Sequence, residues 1–346
     1  MSVNPVLVEA LRGGAVESMH RGSVAIVDAD GRSVLALGDV SRAVFPRSAV
    51  KLLQALPLVA SGAADALKLS DEELALACAS HNGEPAHVAT ARGMLAKVGL
   101  DGDALECGAH WPGLDTAARE LAAHGQAPEA LHNNCSGKHA GFLCLACAIH
   151  GREGLRGFTR GYVEPGHALM REVTAALQAA TGANLAQAPV GIDGCSIPTY
   201  AIPLERLALA FARVATGHGL STEHARAAQR LRQAIARAPF MVAGTGRFDT
   251  RVMQALGERV CCKVGAEGVY CAALPERGLG VAIKMDDGNT ARAAEVVMAA
   301  VIEALVRLDT DAAALLRGLS DLGLRNWRGT EVGRLRASKE LRAALA

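Results

Sequence analysis

The order of hydrophobic patterns along the chain most constrains its fold. Two β-rich runs near the N-terminus, Ser23 to Asp28 and Ser33 to Leu37, flank Ala29-Asp30-Gly31-Arg32, which is typical of a hairpin. The C-terminal third returns to the same pattern. Further strands are predicted at 259–264, 268–273 and 280–285.

Helical periodicity fills the middle of the chain. Ser70 to Glu73 forms a capping box before Leu74 to Ala79, and Pro85 suits the first turn of the next helix, which should end near Gly99. Further helices are predicted at 115–124, 137–150, 166–181 and 222–237, and Asn289 should cap a long helix at 291–308.

Strands, then helices, then strands indicate a mixed α/β (α+β) protein. The simplest arrangement pairs the N- and C-terminal strands in one antiparallel sheet and leaves a helical middle lobe. We expect the sheet lobe to span about 1–45 and 250–346 and the helical lobe about 46–249. In the absence of repeats or a linker pattern, residues 1–346 are expected to form a single intertwined unit.

Composition excludes several classes of protein. Half of the 346 residues are hydrophobic but only 3% are aromatic, so the core should be aliphatic. The net charge is +1 and basic residues do not cluster, which argues against nucleic-acid binding. Met1 to Gly14 lacks a signal-peptide pattern, and Gly141 to Ile149 is too short to span a membrane. Nine cysteines without a disulfide-scaffold spacing favour a cytoplasmic enzyme with reduced thiols.

Three short motifs occur in the order used by serine hydrolases whose base is lysine. They are Ser48-Ala49-Val50-Lys51 at an expected helix start, then Ser80-His81-Asn82, then Lys263-Val264-Gly265 in a predicted strand. A lysine three residues after a serine on a helix lies on the same face. A desolvated lysine can be neutral near pH 7 and accept the serine proton.

Each of these motifs also has a non-catalytic interpretation. Ser2-Val3-Asn4 and Lys97-Val98-Gly99 show that such triplets recur by chance. Ser48 could be a helix N-cap, Lys51 a solvated lysine and Ser80 a helix-end hydroxyl. The shared order and local context favour catalysis.

Two further segments concentrate reactive groups. His132 to Gly141 packs Cys135, Lys138 and His139 before an apolar helix, and Cys195 is a candidate partner for a metal site. Spacing alone does not predict zinc, because paired C-x-x-C motifs are absent from the sequence. Five other cysteines are interpreted as core residues: Cys78, Cys107, Cys261, Cys262 and Cys271.

The Met241 to Asp249 segment is a glycine-containing loop. Arg247 in it is suited to binding a carboxylate, although a simple connector explains the pattern equally well.

Together these segments resemble the rhizobial-type (class 3) L-asparaginases over about Val8 to Gly333. The segments that carry the resemblance are Arg12-Gly13-Gly14 with Glu17 and His20, Arg47 to Lys51, Cys78 to His81, Asn134 to His139, Asp193-Gly194-Cys195, Met241 to Gly244 with Gly246-Arg247, Lys263 to Ala266 and Asp287-Gly288-Asn289. The resemblance implies a fold similar to serine β-lactamases and penicillin-binding-type glutaminases, and a homodimer.

The resemblance also implies functional residues. Two Ser–Lys tandems map onto Ser48 with Lys51 and onto Ser80 with Lys263. One zinc ion per subunit, which would support substrate binding, maps onto Cys135, Lys138 and Cys195 with a water, and Asp193 would orient the ligands. Arg47 and His139 are candidates for binding the α-groups of the substrate.

The expected reaction is hydrolysis of L-asparagine to L-aspartate and ammonia in the cytoplasm, with no nucleic-acid or membrane partner. Ser48 would attack the side-chain amide with Lys51 as base, while Ser80 and Lys263 relay protons. Two alternatives stay open: another serine amidohydrolase of the same fold, such as a glutaminase or a β-lactam-hydrolysing enzyme, and a non-catalytic zinc-dependent ligand-binding protein.

Overall fold

A computed structural model describes residues 3–346, which form twelve strands and fifteen α-helices. The strands are β1 (Val6–Arg12), β2 (Ala15–Asp28), β3 (Ser33–Leu37), β4 (Ala43–Val44), β5 (Val190–Ile192), β6 (Pro198–Tyr200), β7 (Ile202–Pro203), β8 (Cys261–Val264), β9 (Val269–Leu274), β10 (Leu279–Met285), β11 (Asp321–Arg325) and β12 (Glu331–Ala337).

The helices follow the order expected from the sequence, with additions. They are α1 (Lys51–Ala60), α2 (Ala63–Ala66), α3 (Asp71–Ala77), α4 (Pro85–Lys97), α5 (Asp115–Ala123), α6 (Ser136–His150), α7 (Leu155–Phe158), α8 (Ala168–Thr181), α9 (Leu204–Thr216), α10 (Thr222–Arg237), α11 (Pro239–Ala243), α12 (Phe248–Leu256), α13 (Glu295–Leu305), α14 (Thr310–Ser320) and α15 (Lys339–Leu345).

The chain divides into two compact units. The sheet unit contains the chain up to Ala49, Ala201–His218 and Arg259–Ala346. The helical unit contains Val50–Tyr200 and Gly219–Glu258.

The sheet unit is built on one antiparallel sheet with the strand order β11-β12-β1-β2-β10-β9-β8. The long strand β2 pairs with β1 through its first half, and with β10 and β3 through its second half. The N-terminal strand β1 also pairs with the C-terminal β12, with Val8 opposite Ala337. The predicted antiparallel sheet made from both ends of the chain is therefore confirmed.

Helix α9 packs on β10, β2 and β9 of this sheet. Leu207 and Phe211 of α9 are fully buried there. A Cβ on Gly280 in β10 would lie 2.0 Å from the carbonyl oxygen of Ala208. Only glycine therefore allows this close approach of helix to strand. The sequence pattern did not predict α9.

In the helical unit, α1 is buried for most of its length and packs against α3, α6, α8 and α10. The predicted capping box at Ser70 is confirmed: Ser70 Oγ accepts from the Glu73 amide at 3.3 Å, and the Glu73 carboxylate accepts from the Ser70 amide at 2.7 Å. Pro85 opens α4 as predicted.

The predicted cap at Asn289 belongs to the sheet unit and is also confirmed. Its side chain accepts from the Arg292 amide at 3.0 Å, and a π-helical turn, Thr290–Ala294, precedes α13.

Among the helices of residues 3–346, none combines the length and the hydrophobicity that a membrane-spanning segment requires. The five cysteines interpreted as core residues are all buried, as predicted.

Candidate active site

Lys51 lies at the centre of a buried polar cluster in the helical unit. It is the first residue of α1, and only 1% of its surface is exposed. Its Nζ lies 3.0 Å from Ser80 Oγ, 2.5 Å from the Ala79 carbonyl oxygen and 3.1 Å from Cys135 Sγ. The alternative of a solvated Lys51 is therefore wrong.

Lys51 Nζ donates to Ser80 Oγ, to the Ala79 carbonyl oxygen and to Cys135 Sγ, and the Asn134 carbonyl oxygen lies 3.5 Å away. Carbonyl oxygens can only accept hydrogen bonds, so these partners fix the position of the amine beside Ser80. A lysine amine acts as a general base toward a serine hydroxyl only in its neutral form.

Ser80 is held in place by the loop that follows α3. Its backbone amide donates to the Val242 carbonyl at 2.9 Å, and the amide of the next residue, His81, donates to the Asn134 carbonyl at 3.2 Å. The His81 ring accepts from the Gly83 amide at Nδ1, so its Nε2–H donates to Ser136 Oγ at 3.0 Å. Ser80 is thereby fixed against the segment that starts α6.

Burial holds the pKa of His81 well below its usual range. The neutral ring that results has one donor and one acceptor nitrogen, which matches its two observed partners.

Three predicted metal ligands meet at the start of α6. Lys138 Nζ lies 2.9 Å from Cys195 Sγ, and Cys195 is hydrogen-bonded to Cys135. This hydrogen bond holds the pKa of Cys135 well below its usual range; burial opposes it, and Lys51 and Lys138 support it. The hydrogen bond to Cys135 and burial raise the pKa of Cys195.

The pKa of Lys138 is raised by the same two cysteines. Burial acts to lower the pKa of Lys138, but Cys195 and Cys135 outweigh it and the pKa is raised. Asp193, half-buried beside Cys195 in sequence, acts in the same direction.

The donor set of this cluster fits zinc. Within residues 3–346, no three His, Cys, Asp or Glu side chains converge to hold a metal ion. The predicted set instead combines two sulfurs with the Lys138 amine; all three groups are buried, and Cys195 is hydrogen-bonded to both Lys138 and Cys135. Soft sulfur with nitrogen is a donor combination that zinc favours.

His139, the next residue of α6, is fully buried. The Tyr162 hydroxyl accepts from the Glu106 amide at 3.0 Å and lies 2.6 Å from His139 Nδ1. We assign the hydroxyl proton to Nδ1, which places the ring proton on Nε2. Among the described residues Nε2 has no hydrogen-bond partner, which is unusual for a buried polar atom and suits a ligand.

Ser48 and Arg47 lie in the sheet unit, in a 3₁₀ turn, Arg47–Val50. Both are half-buried. The N-cap position of α1 is Val50, so the alternative of Ser48 as that N-cap is wrong. Arg47 has a φ of 51°, a left-handed conformation that costs a non-glycine residue about 1–2 kcal/mol. This strained residue directly precedes Ser48.

Lys263 is buried in β8 of the same unit, and its Nζ donates to the Val264 carbonyl at 2.8 Å. A Cβ on the following Gly265 would lie 2.7 Å from the Pro46 carbonyl oxygen. The Lys-x-Gly segment and the residues before Ser48 thus meet within the sheet unit.

The family resemblance pairs Lys51 with Ser48 and Lys263 with Ser80. The structure shows a hydrogen bond from Lys51 to Ser80, which the motifs did not specify. The catalytic roles of the four residues stay predictions.

The family model for L-asparaginase II matches residues 8–337. The chain belongs to the L-asparaginase II family. None of the curated proteins compared with it matches.

Solved structures similar to this family member have low identity to it. Mglu in its native form has a TM-score of 0.43 and 14% identity, over 79% of this chain and 62% of that chain. A β-lactamase from Mycobacterium bovis has a TM-score of 0.37 and 14% identity, over 80% and 90% of the two chains. Mglu in its tris and glutamate form has a TM-score of 0.35 and 16% identity, over 84% and 61%. This family member thus spans 62% of the length of native Mglu.

Sequence reasoning missed the partners of His139 in this family member. Tyr162 lies in an irregular segment after α7, and Glu106 contributes only a backbone amide. Neither position has a local sequence signal.

Proposed function

We propose that this protein is an L-asparaginase that hydrolyses L-asparagine through a serine acyl-enzyme. Membership of the L-asparaginase II family supports amidohydrolase chemistry. The observation that carries the proposal is the buried Lys51 amine 3.0 Å from Ser80 Oγ.

In the proposed mechanism Ser48 Oγ attacks the side-chain amide carbon of asparagine. Neutral Lys51 takes the Ser48 proton and transfers it through Ser80, to which it is hydrogen-bonded, to the departing nitrogen. The C–N bond breaks and ammonia leaves. Water then attacks the ester carbon, aspartate is released, and the proton returns to Ser48. Lys263 assists these proton transfers.

Cys135, Lys138 and Cys195 are proposed to hold one zinc ion per subunit, with Asp193 orienting the set. When bound, zinc would neutralise thiolate charge and polarise a substrate oxygen. Lys138 must give up its proton to become a ligand. His139 is proposed to donate from its unpartnered Nε2 to an oxygen of the substrate, and Arg47 is proposed as a second substrate contact.

Zinc content measured by elemental analysis tests the metal site. Cys195→Ala should lose the metal, whereas Cys147→Ala, a half-buried cysteine outside the proposed set, should retain it. Equal zinc content in the two variants would contradict the assignment.

We further propose a cytoplasmic homodimer, as the resemblance implies. The nine reduced cysteines support a reducing compartment. Sedimentation should give the mass of two chains; a monomer at micromolar concentration would contradict the dimer.

Ammonia release tests the reaction and its alternatives. The wild-type protein should release ammonia from L-asparagine and much less from L-glutamine, and it should leave a chromogenic β-lactam intact. The opposite preference would identify another amidohydrolase. Ligand binding without turnover, unchanged in Ser48→Ala, would identify a binding protein.

The acyl intermediate locates the nucleophile. Acid quenching during turnover, followed by peptide mass analysis, should find the added acyl mass on the peptide that contains Ser48. A label on Ser80 would reverse the roles of the two serines.

A further inference from the structure

Asn82 follows Ser80 by two residues, and both of its side-chain amide hydrogens are already used. It is 2% exposed. Its Nδ2 donates to the Thr245 carbonyl at 3.1 Å and to Glu84 Oε1 at 3.3 Å. Its Oδ1 accepts from Arg247 Nη1 at 3.1 Å. These partners fix the orientation of the side-chain amide, and no side-chain N–H of Asn82 remains for a ligand.

The negative charge of Glu84 is satisfied by neutral donors. Thr245 donates to it through its amide at 2.8 Å and through its hydroxyl at 2.6 Å. Burial acts to raise the pKa of Glu84, but the hydrogen bonds from Thr245 and Asn82 outweigh it and the pKa is lowered. Gly244 makes this approach possible, because a Cβ there would lie 2.4 Å from Glu84 Oε1.

Arg247 keeps a positive charge that this network does not neutralise. It is half-buried at the start of α12, and one guanidinium nitrogen donates to Asn82 Oδ1. Among residues 3–346 it forms no ion pair with a carboxylate, and four of its five N–H donors are unengaged. A half-buried guanidinium with open donors is suited to bidentate binding of a carboxylate.

The segments that carry Ser80 and Arg247 run side by side. The Ser80 amide donates to the Val242 carbonyl at 2.9 Å, and two residues further Asn82 reaches the Thr245 carbonyl. Two residues of extended chain span at most about 7 Å between Cα atoms. The guanidinium that contacts Asn82 is therefore held near the loop that carries Ser80.

We propose that Arg247 binds the α-carboxylate of the substrate, and that Asn82 is the positioning residue that holds Arg247. This inference rests on the proposed L-asparaginase function and adds the residue that recognises the α-carboxylate of that substrate. Arg247 then supplies the hydrogen-bond donors for the carboxylate, because both side-chain N–H groups of Asn82 are already engaged.

Two substrates that differ only in the carboxylate test the inference. L-Asparagine carries the group, whereas in 3-aminopropanamide a hydrogen replaces it. Ammonia release from both is measured with wild-type protein, Arg247→Gln, Arg247→Lys and Arg237→Gln. Arg237 is the matched control, because it is an exposed arginine of the same unit, ion-paired with Asp71 at 3.0 Å.

Arg247→Gln should lower kcat/KM for L-asparagine by about 10- to 150-fold, mainly through KM, because charge-assisted hydrogen bonds are lost. Hydrolysis of 3-aminopropanamide should change less than about threefold, because that compound never made these bonds. Arg247→Lys should fall between wild type and Arg247→Gln, because the charge stays but the planar fork is lost. Arg237→Gln should behave as wild type.

An equal loss on both substrates would show that Arg247 only supports the loop and would overturn the inference, as would unchanged discrimination in Arg247→Gln. If thermal unfolding shows that Arg247→Gln is not folded, Arg247→Lys takes its place. The ratio of kcat/KM for L-asparagine to kcat/KM for 3-aminopropanamide in that variant then tests the inference. Wild-type protein that hydrolyses neither compound contradicts the proposed function itself, and the inference with it.

Discussion

Lys51 Nζ and Ser80 Oγ lie 3.0 Å apart although 29 residues separate them along the chain. The lysine is at the first residue of α1, and the serine follows the end of α3. Helix packing in the helical unit therefore creates a hydroxyl–amine pair that is shielded from water.

Lys51→Met should abolish most of the activity, since methionine fills similar space without a base. General-base catalysis contributes about 10²- to 10⁴-fold, so kcat for L-asparagine should fall by at least that factor. Lys339→Met, at an exposed lysine of α15, is the control and should keep full activity. A loss below about tenfold in steady-state kinetics of the folded Lys51→Met variant would count against Lys51 as the base.

Tyr162→Phe should release the tautomer of His139. Without the phenol proton at Nδ1, both ring nitrogens become possible sites for the hydrogen, and the Glu106 amide loses its acceptor. We expect a loss of about 1–3 kcal/mol in the free energy of unfolding, because a buried donor is left unsatisfied.

Nitrogen-15 NMR of the ring should show Nε2–H alone in the wild type and a mixture in Tyr162→Phe. Tyr200→Phe, which removes a half-buried hydroxyl 3.3 Å from Thr174 Oγ1, is the control. If the His139 spectrum is unchanged in Tyr162→Phe, the hydrogen bond between Tyr162 and His139 Nδ1 does not set the tautomer of the ring.

Acid should destabilise the protein through His81 and His87. Burial lowers the pKa of both rings below the usual 6.5. Above about pH 6.5 the folded and unfolded states hold the same protons, so these rings add no pH dependence. Below it, only the unfolded state gains the proton, and the free energy of unfolding falls by up to about 1.4 kcal/mol per pH unit for each ring.

Urea unfolding between pH 7 and pH 5 measures this slope. His81→Gln keeps a donor for Ser136 and should flatten the slope, whereas His124→Gln, at an exposed histidine, should not. If the free energy of unfolding depends equally on pH in the two variants, His81 does not contribute to the loss of stability in acid.

Gly280→Ala should destabilise the sheet unit. The new methyl would lie 2.0 Å from the Ala208 carbonyl and 2.2 Å from the Ala212 nitrogen, so α9 must move from β10. We expect at least about 1–3 kcal/mol of lost stability. Gly318→Ala in α14 is the matched control: its Cβ meets no described atom within 4 Å, and alanine should stabilise the helix by about 0.5–1 kcal/mol. Thermal unfolding that ranks the two variants the other way would contradict this packing.

The sequence predicted those elements whose formation depends on neighbouring residues in the chain. The capping box at Ser70, the strand Ser33–Leu37 and the cap at Asn289 follow from residues adjacent in sequence, and the structure has all three. Strands β1, β11 and β12 were missed, as was α9. Strand β12 begins with Glu331-Val332-Gly333-Arg334, which has no period-2 alternation and contains a glycine, and it becomes a strand because β1 and β11 pair with it.

For the candidate site, the sequence likewise predicted the residues but not the contacts between them. The residue types of the Ser-x-x-Lys and Asn-Cys-Ser-Gly-Lys-His segments identified Lys51, Cys135 and Lys138 as members of a reactive cluster. The hydrogen bonds from Lys51 to Ser80 and from Tyr162 to His139 depend on how distant helices and loops pack. Periodicity along the chain carries no information about such contacts.

During synthesis, β1 leaves the ribosome long before its neighbour β12 exists, because their pairing needs residues 331–337. At about 5–20 residues per second, the nascent N-terminal strand waits on the order of tens of seconds with an open edge. That edge is a template for pairing with other chains. The yield of native protein should therefore depend on chaperones that bind nascent chains and cover this edge until β12 has been made.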